Sequence, residues 1–105
     1  MNYDEKFAAI NAIGEATIKF RRVQDWYVSQ RAEIKNGCFL KSVSGNGLTP
    51  AEAIADHWRQ LVEIPDSNYI VISAMTGDRR AVRWNGFMWA DVQERATLSG
   101  GNTRE

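Results

Sequence analysis

Little in this chain of 105 residues lends itself to covalent or metal chemistry, since it holds one cysteine, Cys38, one histidine, His57, and two prolines. A lone thiol cannot close an internal disulfide, which fits a reducing compartment. One cysteine and one histidine also fall short of the ligand set of a usual zinc site. Charge of one sign is missing too, with thirteen basic side chains set against thirteen acidic ones. That balance removes the bulk positive field with which a dedicated nucleic-acid binder gathers its ligand, although it leaves room for a local basic patch. No apolar run approaches the roughly 18 residues of a membrane span. The opening Met1-Asn2-Tyr3-Asp4-Glu5-Lys6 lacks the basic start and apolar core of a signal peptide. The expectation is a cytoplasmic protein without membrane attachment or cofactor.

What is present is ordinary for a globular chain, with 44% apolar and 25% charged residues. A chain of this length should bury roughly two thirds of its unfolded surface, enough for one modest core without staples. One domain is expected over 1–98, and the polar run from Ser99 to Glu105 reads as a flexible tail.

Tyr3, Phe7, Ile10 and Ile13 recur at helical spacing, Asn2 and Glu5 resemble a capping box, and Gly14 stands where a helix would end. A helix over 3–13 follows. Residues 16–44 admit two readings. Thr17, Ile18, Phe20, Val23, Trp26, Tyr27 and Val28 are β-branched or aromatic, Asn36-Gly37 is a hairpin signal, and Ser42 to Gly47 is turn-like. These residues predict strands near 17–23, 26–34 and 38–43. The alternative is one helix from 16 to 34 followed by a strand.

The next helix announces itself with Thr49 as N-cap, Pro50 in the first turn and Glu52 to complete a capping box. Ala51, Ile54, Ala55, Trp58, Leu61 and Val62 form its expected apolar stripe, and Pro65 marks its end. The nearly continuous apolar run Tyr69 to Ala74 predicts a strand covered on both faces. Thr76-Gly77-Asp78 then turns the chain into a second strand over 79–84, and Asn85-Gly86 turns it into a third over 87–92. The fold class is α+β, a mostly antiparallel sheet of four to six strands with two packed helices.

The richest stretch is Arg79 to Val92. A two-residue turn at Asn85-Gly86 suits the positive φ values of a type I′ hairpin. It would set Trp84 against Phe87, Val82 against Trp89 and Arg80 against Asp91 on one face, leaving Arg83 and Met88 on the other. The expectation is that Val82, Trp84, Phe87 and Trp89 floor the core, with Arg80–Asp91 as a rim ion pair. The alternative is an exposed platform of aromatics and arginines, on which stacking is worth roughly 1–3 kcal/mol per nucleic-acid base. Arg79 and Arg83 stay outside on either reading. Arg21-Arg22 is a second basic pair, read as solvated surface charge.

The segment from Ser44 to Ala53 reads as a glycine-containing loop entering a helix. It lacks the Gly-Lys-Ser/Thr ending of a phosphate loop, and Pro50 and Glu52 are ill suited to an anion. Cys38 to Leu61 resembles the HicB-type antitoxins, in which a strand precedes a Gly-x-Thr-x-Glu-Glu-Ala-like helix start. The same glycines, hydroxyl and alanine-rich helix resemble the closing motif of double-stranded-RNA-binding domains. There, however, Pro50, Ala51 and Glu52 replace the phosphate-contacting lysines, which argues against RNA binding. In overall character the chain is similar to small proteins encoded by phages and prophages, many of which bind a host protein.

Catalytic candidates are thin. His57 lies beside Asp56, off the expected stripe, and reads as a surface residue; Cys38 reads as a half-buried strand start. A Cys38–His57 nucleophile pair would need the fold to bring them together. The reading that follows is a non-enzymatic binding module for a protein partner, with a homodimer through an exposed strand edge as one form of it. The candidate contacts are Arg79, Arg83, Met88, Asn85, Gly86, Trp84 and Trp89. Single-stranded nucleic acid is the alternative ligand.

Overall fold

The computed structural model describes residues 1–73 and 77–93. Its elements run α1 (Tyr3–Ala12), β1 (Ala16–Arg22), β2 (Asp25–Asn36), β3 (Phe39–Gly47), α2 (Pro50–Val62), β4 (Tyr69–Ser73), β5 (Arg79–Trp84) and β6 (Trp89–Asp91). The strand reading of the middle segment therefore holds, and the long helix over 16–34 is overturned. β-Branched and aromatic residues lose rotamer freedom in a helix but pack well on a pleated surface. Ala74, Met75, Thr76 and the expected tail over 99–105 lie outside the described residues.

β2 is the spine of one antiparallel sheet. Residues 26–29 of β2 pair with both β1 and β3, and residues 33–35 pair with both β3 and β4. β3 therefore runs along one edge of β2, while β1 and β4 share the other, end to end. The β2–β3 register shifts between Ser29 and Glu33, a bulge that bends the spine where β1 gives way to β4. β5 and β6 extend the sheet beyond β4.

Helix α1 starts as its sequence dictates. The Asn2 side chain accepts from the Glu5 N–H and the Glu5 carboxylate accepts from the Asn2 N–H, each at 2.9 Å. In α2 the Thr49 hydroxyl accepts from the Glu52 N–H, but the Glu52 side chain takes the Leu48 N–H instead of closing the capping box. Both helices lie on one face of the sheet. There Ile10, Ile13, Val28, Ala32, Ile34, Ile54, Trp58, Leu61, Ile70 and Val82 form the main core. Tyr69, Val71 and Ala81 point to the opposite face and are buried there with Val92 packed against them. β4 is thus covered on both sides, as its unbroken apolar run requires.

Two expectations fail at the seam between β3 and α2. The segment 44–47 is strand, not loop, so β3 continues to Gly47. The buried stripe of α2 is Ala53, Ile54, His57, Trp58 and Leu61; Ala53 and His57 take the place of the expected Ala51 and Ala55, and the expected Val62 is half-buried. One physical cause accounts for both. A Cβ on Gly45 would collide with the Ala53 carbonyl oxygen and His57 Cβ, and one on Gly47 would stand 2.5–2.7 Å from atoms of Glu52 and Ala53. The glycines are there to let helix and strand backbones touch, which rotates α2 and draws His57 inward.

Candidate interaction surface

The β5–β6 connection departs from the expected hairpin. Trp84 pairs with Trp89, Arg83 with Ala90 and Val82 with Asp91, so the loop holds four residues, Asn85 to Met88. Gly86 adopts φ +103°, but Asn85 is not in the left-handed region, which excludes a type I′ turn. Asn85 closes the loop differently. Its backbone N–H donates to the Met88 carbonyl at 3.1 Å, while its side-chain oxygen accepts from the Phe87 and Met88 N–H groups, both at 2.9 Å. This side-chain mimicry of a turn is what asparagine does well. It won over the two-residue turn because pairing Trp84 with Trp89 packs the two indoles against each other.

Those indoles complete a three-ring cluster with Trp58. Centroid separations are 4.9 Å for Trp58–Trp84, 5.2 Å for Trp84–Trp89 and 5.8 Å for Trp58–Trp89, all near edge-to-face. The Trp89 indole N–H also donates to the Ala9 carbonyl at 2.7 Å, tying β6 to α1. Val82, Trp84 and Trp89 therefore pack on the core as expected. Phe87 does not. It is 90% exposed at the loop tip beside Met88, which is 59% exposed.

The arginines divide. Arg83 does not point freely outward; its guanidinium donates to the carbonyls of Pro65, at 2.8 Å, and of Asn68. It also lies 3.7 Å from the Asp66 carboxylate. It is a clamp that holds the α2–β4 connection, and five rigidly disposed donors make arginine suited to that task. Met88, expected on the same face as Arg83, belongs to the loop instead. Arg80 forms the expected rim pair with Asp91 at 2.9 Å, although the backbone register sets Asp91 against Val82. Arg79 is exposed on β5. The seven candidate contacts thus separate into a half-buried set, Trp84 and Trp89, a structural set, Arg83 and Asn85, and outward positions.

The two catalytic candidates do not meet. Cys38 is exposed in the two-residue turn between the paired Asn36 and Phe39, where Gly37 takes φ +63°. His57 is fully buried against Gly45, far along β3. At a rise of about 3.3 Å per residue, the run from Cys38 to Gly45 spans on the order of 20 Å. His57 is also fully occupied. Its Nδ1 accepts from the Gly45 N–H at 3.1 Å, so the proton sits on Nε2, which donates to Gln30 Oε1 at 2.9 Å. The Gln30 amide nitrogen in turn donates to the carbonyls of Ile10 and, at 2.7 Å, Gly14. Burial drives the His57 pKa down to about 4 against the opposing pull of Asp56. Burial alone would raise the Asp56 carboxyl, but bonds from Asn46, Arg59 and Gln60 outweigh it and hold the pKa below the ordinary value.

Among the described residues, no group of three or more His, Cys, Asp and Glu side chains could hold a metal ion. No described helix is long and apolar enough to cross a membrane. Sequence reasoning missed several exposed apolar side chains: Phe87 at one tip, Phe39 and Leu40 after the β2–β3 turn, and Phe20 and Val23 at the β1–β2 tip. A signal was available for Val23 and Phe39, which lie in or next to a two-residue turn. Comparison of the chain with family models, with curated proteins and with solved structures returns no match.

Proposed function

We propose that this chain is a small non-enzymatic binding module that takes a protein partner at the β5–β6 loop, with Phe87 and Met88 as the anchoring side chains. The observation that carries this reading is the pairing of an exposed aromatic and an exposed thioether with a loop fixed by Asn85. Binding costs conformational entropy, and a loop already held in one shape loses less of it. Aromatic side chains are over-represented among residues that dominate interface energetics, and methionine adapts to irregular pockets. The separation of Cys38 from His57 supports the non-enzymatic part. In keeping with the resemblance to small phage and prophage proteins, the partner would be a host or phage protein.

The alternative, stacking of single-stranded nucleic acid, has less to rest on. The rings it needs are turned edge-to-face onto one another, and Arg83 is engaged by backbone carbonyls. The deciding experiment is affinity capture from host lysate by the wild-type chain and by the double variant Phe87→Ser, Met88→Ser, with unchanged circular dichroism as the control. Loss of the partner in the variant is expected; equal recovery by both forms would overturn the assignment.

A further inference from the structure

Among the described residues the sheet has three outer edges, those of β1, β3 and β6, and they are treated differently. The second half of β3 is covered by α2, whose Asp56 carboxylate accepts from the Asn46 N–H and whose Gln60 amide donates to the Ser44 carbonyl, both at 2.9 Å. β6 is three residues long. β1 runs for seven residues, from Ala16 to Arg22, and among the described residues its hydrogen-bonded strand partner is β2 alone. The Ala16 N–H at its start donates to the Asn11 side-chain oxygen at 2.8 Å; beyond it the outer edge presents a row of main-chain donors and acceptors, the usual template for an added strand.

The side chains along that edge define what the added strand must look like. On the helix-bearing face Ala16 and Ile18 pack with the core, and Phe20 extends the same line, its ring 5.1 Å from Trp26. On the other face stand Thr17, Lys19 and Arg21, the last with its guanidinium 4.6 Å above the Tyr27 ring. Arg21 and Arg22 share one carboxylate, Asp25, at 3.8 and 3.2 Å. No acidic residue occurs between Ala16 and Val23. We infer that the β1 edge accepts an extended acidic segment of a protein partner, with apolar side chains alternating with glutamate or aspartate, in antiparallel or parallel strand addition.

Alternation follows from the period of the pleat: apolar residues would continue the Ile18–Phe20 line while acids face Lys19 and Arg21. A second copy of this chain is the wrong occupant. Pairing β1 with itself would gather the Lys19, Arg21 and Arg22 side chains of both copies onto one pair of strands. This surface is separate from the Phe87–Met88 loop, and the two assignments stand or fall independently.

The test titrates the full nitrogen-15-labelled chain with a short capped peptide alternating glutamate and valine. Saturable amide shifts confined to residues 16–22 are expected. Affinity should fall at least about tenfold when the peptide's glutamates become lysines, when its central valine becomes proline, or when the protein carries Lys19→Glu with Arg21→Glu. The Phe87→Ser, Met88→Ser variant should bind the peptide as the wild type does. Absence of saturable shifts, equal binding of the lysine peptide, or shifts centred on 39–47 or 85–88 would overturn the inference. Oligothymidylate bound at 16–22 as tightly as the peptide would replace it with a nucleic-acid site. Because two of the three weakening changes lie in the peptide, a poorly folded protein variant cannot obscure the result.

Discussion

Two regions of this molecule, each rich in glycine or asparagine and each turn-like in sequence, end in opposite conditions. At the β3–α2 seam, Gly45 and Gly47 bring two backbones into contact and seal a histidine between them. At the β5–β6 loop, Gly86 and Asn85 shape a projection that leaves Phe87 in solvent. In the first region missing side chains create closeness; in the second a side-chain hydrogen bond creates reach. Small residues therefore mark where the fold is tightest and also where it is most open, and only the neighbouring elements distinguish the two.

The comparison breaks most sharply at Gly45. Gly45→Ala places a methyl group where the Ala53 carbonyl and His57 Cβ already sit. Overpacking typically costs about 1–3 kcal/mol and more where backbone is the obstacle, so a loss of about 3 kcal/mol or more is expected. Chemical denaturation monitored by circular dichroism checks this, and a loss smaller than about 1 kcal/mol would show that the seam yields. An alanine at Gly86, whose surroundings are open, should cost only the strain of its positive φ, about 1 kcal/mol.

Acid comes next. The unfolded chain protonates a histidine near pH 6.5, whereas native His57 stays neutral down to about 4. Between those values the unfolded state holds more protons, so stability falls as pH falls and is fully retained above about 6.5. Each tenfold change in proton affinity is worth about 1.4 kcal/mol, so the loss between pH 6.5 and 4 amounts to roughly 3 kcal/mol. Ring resonances of His57 followed by NMR should not titrate near pH 6.5; a midpoint there would mean that the Gly45–His57–Gln30 chain is open to water.

Arg83 offers a smaller effect. Arg83→Met keeps the stem but abandons the carbonyls of Pro65 and Asn68. Hydrogen bonds to a charged donor contribute about 1.5–3 kcal/mol, and part of that returns because the Pro65 carbonyl lies at an exposed residue where water can replace the guanidinium. A loss of about 1–2 kcal/mol is expected, with faster amide exchange over 64–68. A partner-binding defect without that destabilisation would restore Arg83 to the contact surface.

These effects also explain how much could be read in advance. Both helix starts, the three strands between the helices and the meander after α2 were legible because capping, β-branching and turn residues act within a few positions of themselves. The fully buried His57 was not. Its place depends on Gly45 and Gly47, ten to twelve residues earlier, and on Gln30, which lies on a third element. Helical periodicity alone counts a histidine between Asp56 and Trp58 as a flank. The exposure of Phe87 was hidden for a related reason. Loop length decides register, and here the edge-to-face packing of Trp84, Trp89 and Trp58 favoured a four-residue loop over the two-residue turn that Asn-Gly prefers. The non-local packing outweighed the local signal at both places.

The smallest expected effect is the one that separates structure from function. Phe87→Ser with Met88→Ser removes two exposed side chains that bury little against their own chain, so stability should change by no more than about 0.5 kcal/mol. Asn85 keeps its bonds to the backbone at 87 and 88, which do not depend on the side chains there. The loop shape should therefore persist while its apolar content disappears. Captured partner should be lost at unchanged melting temperature. A clear fall in stability would instead place Phe87 in a contact within its own chain, and the two regions would then differ only in degree.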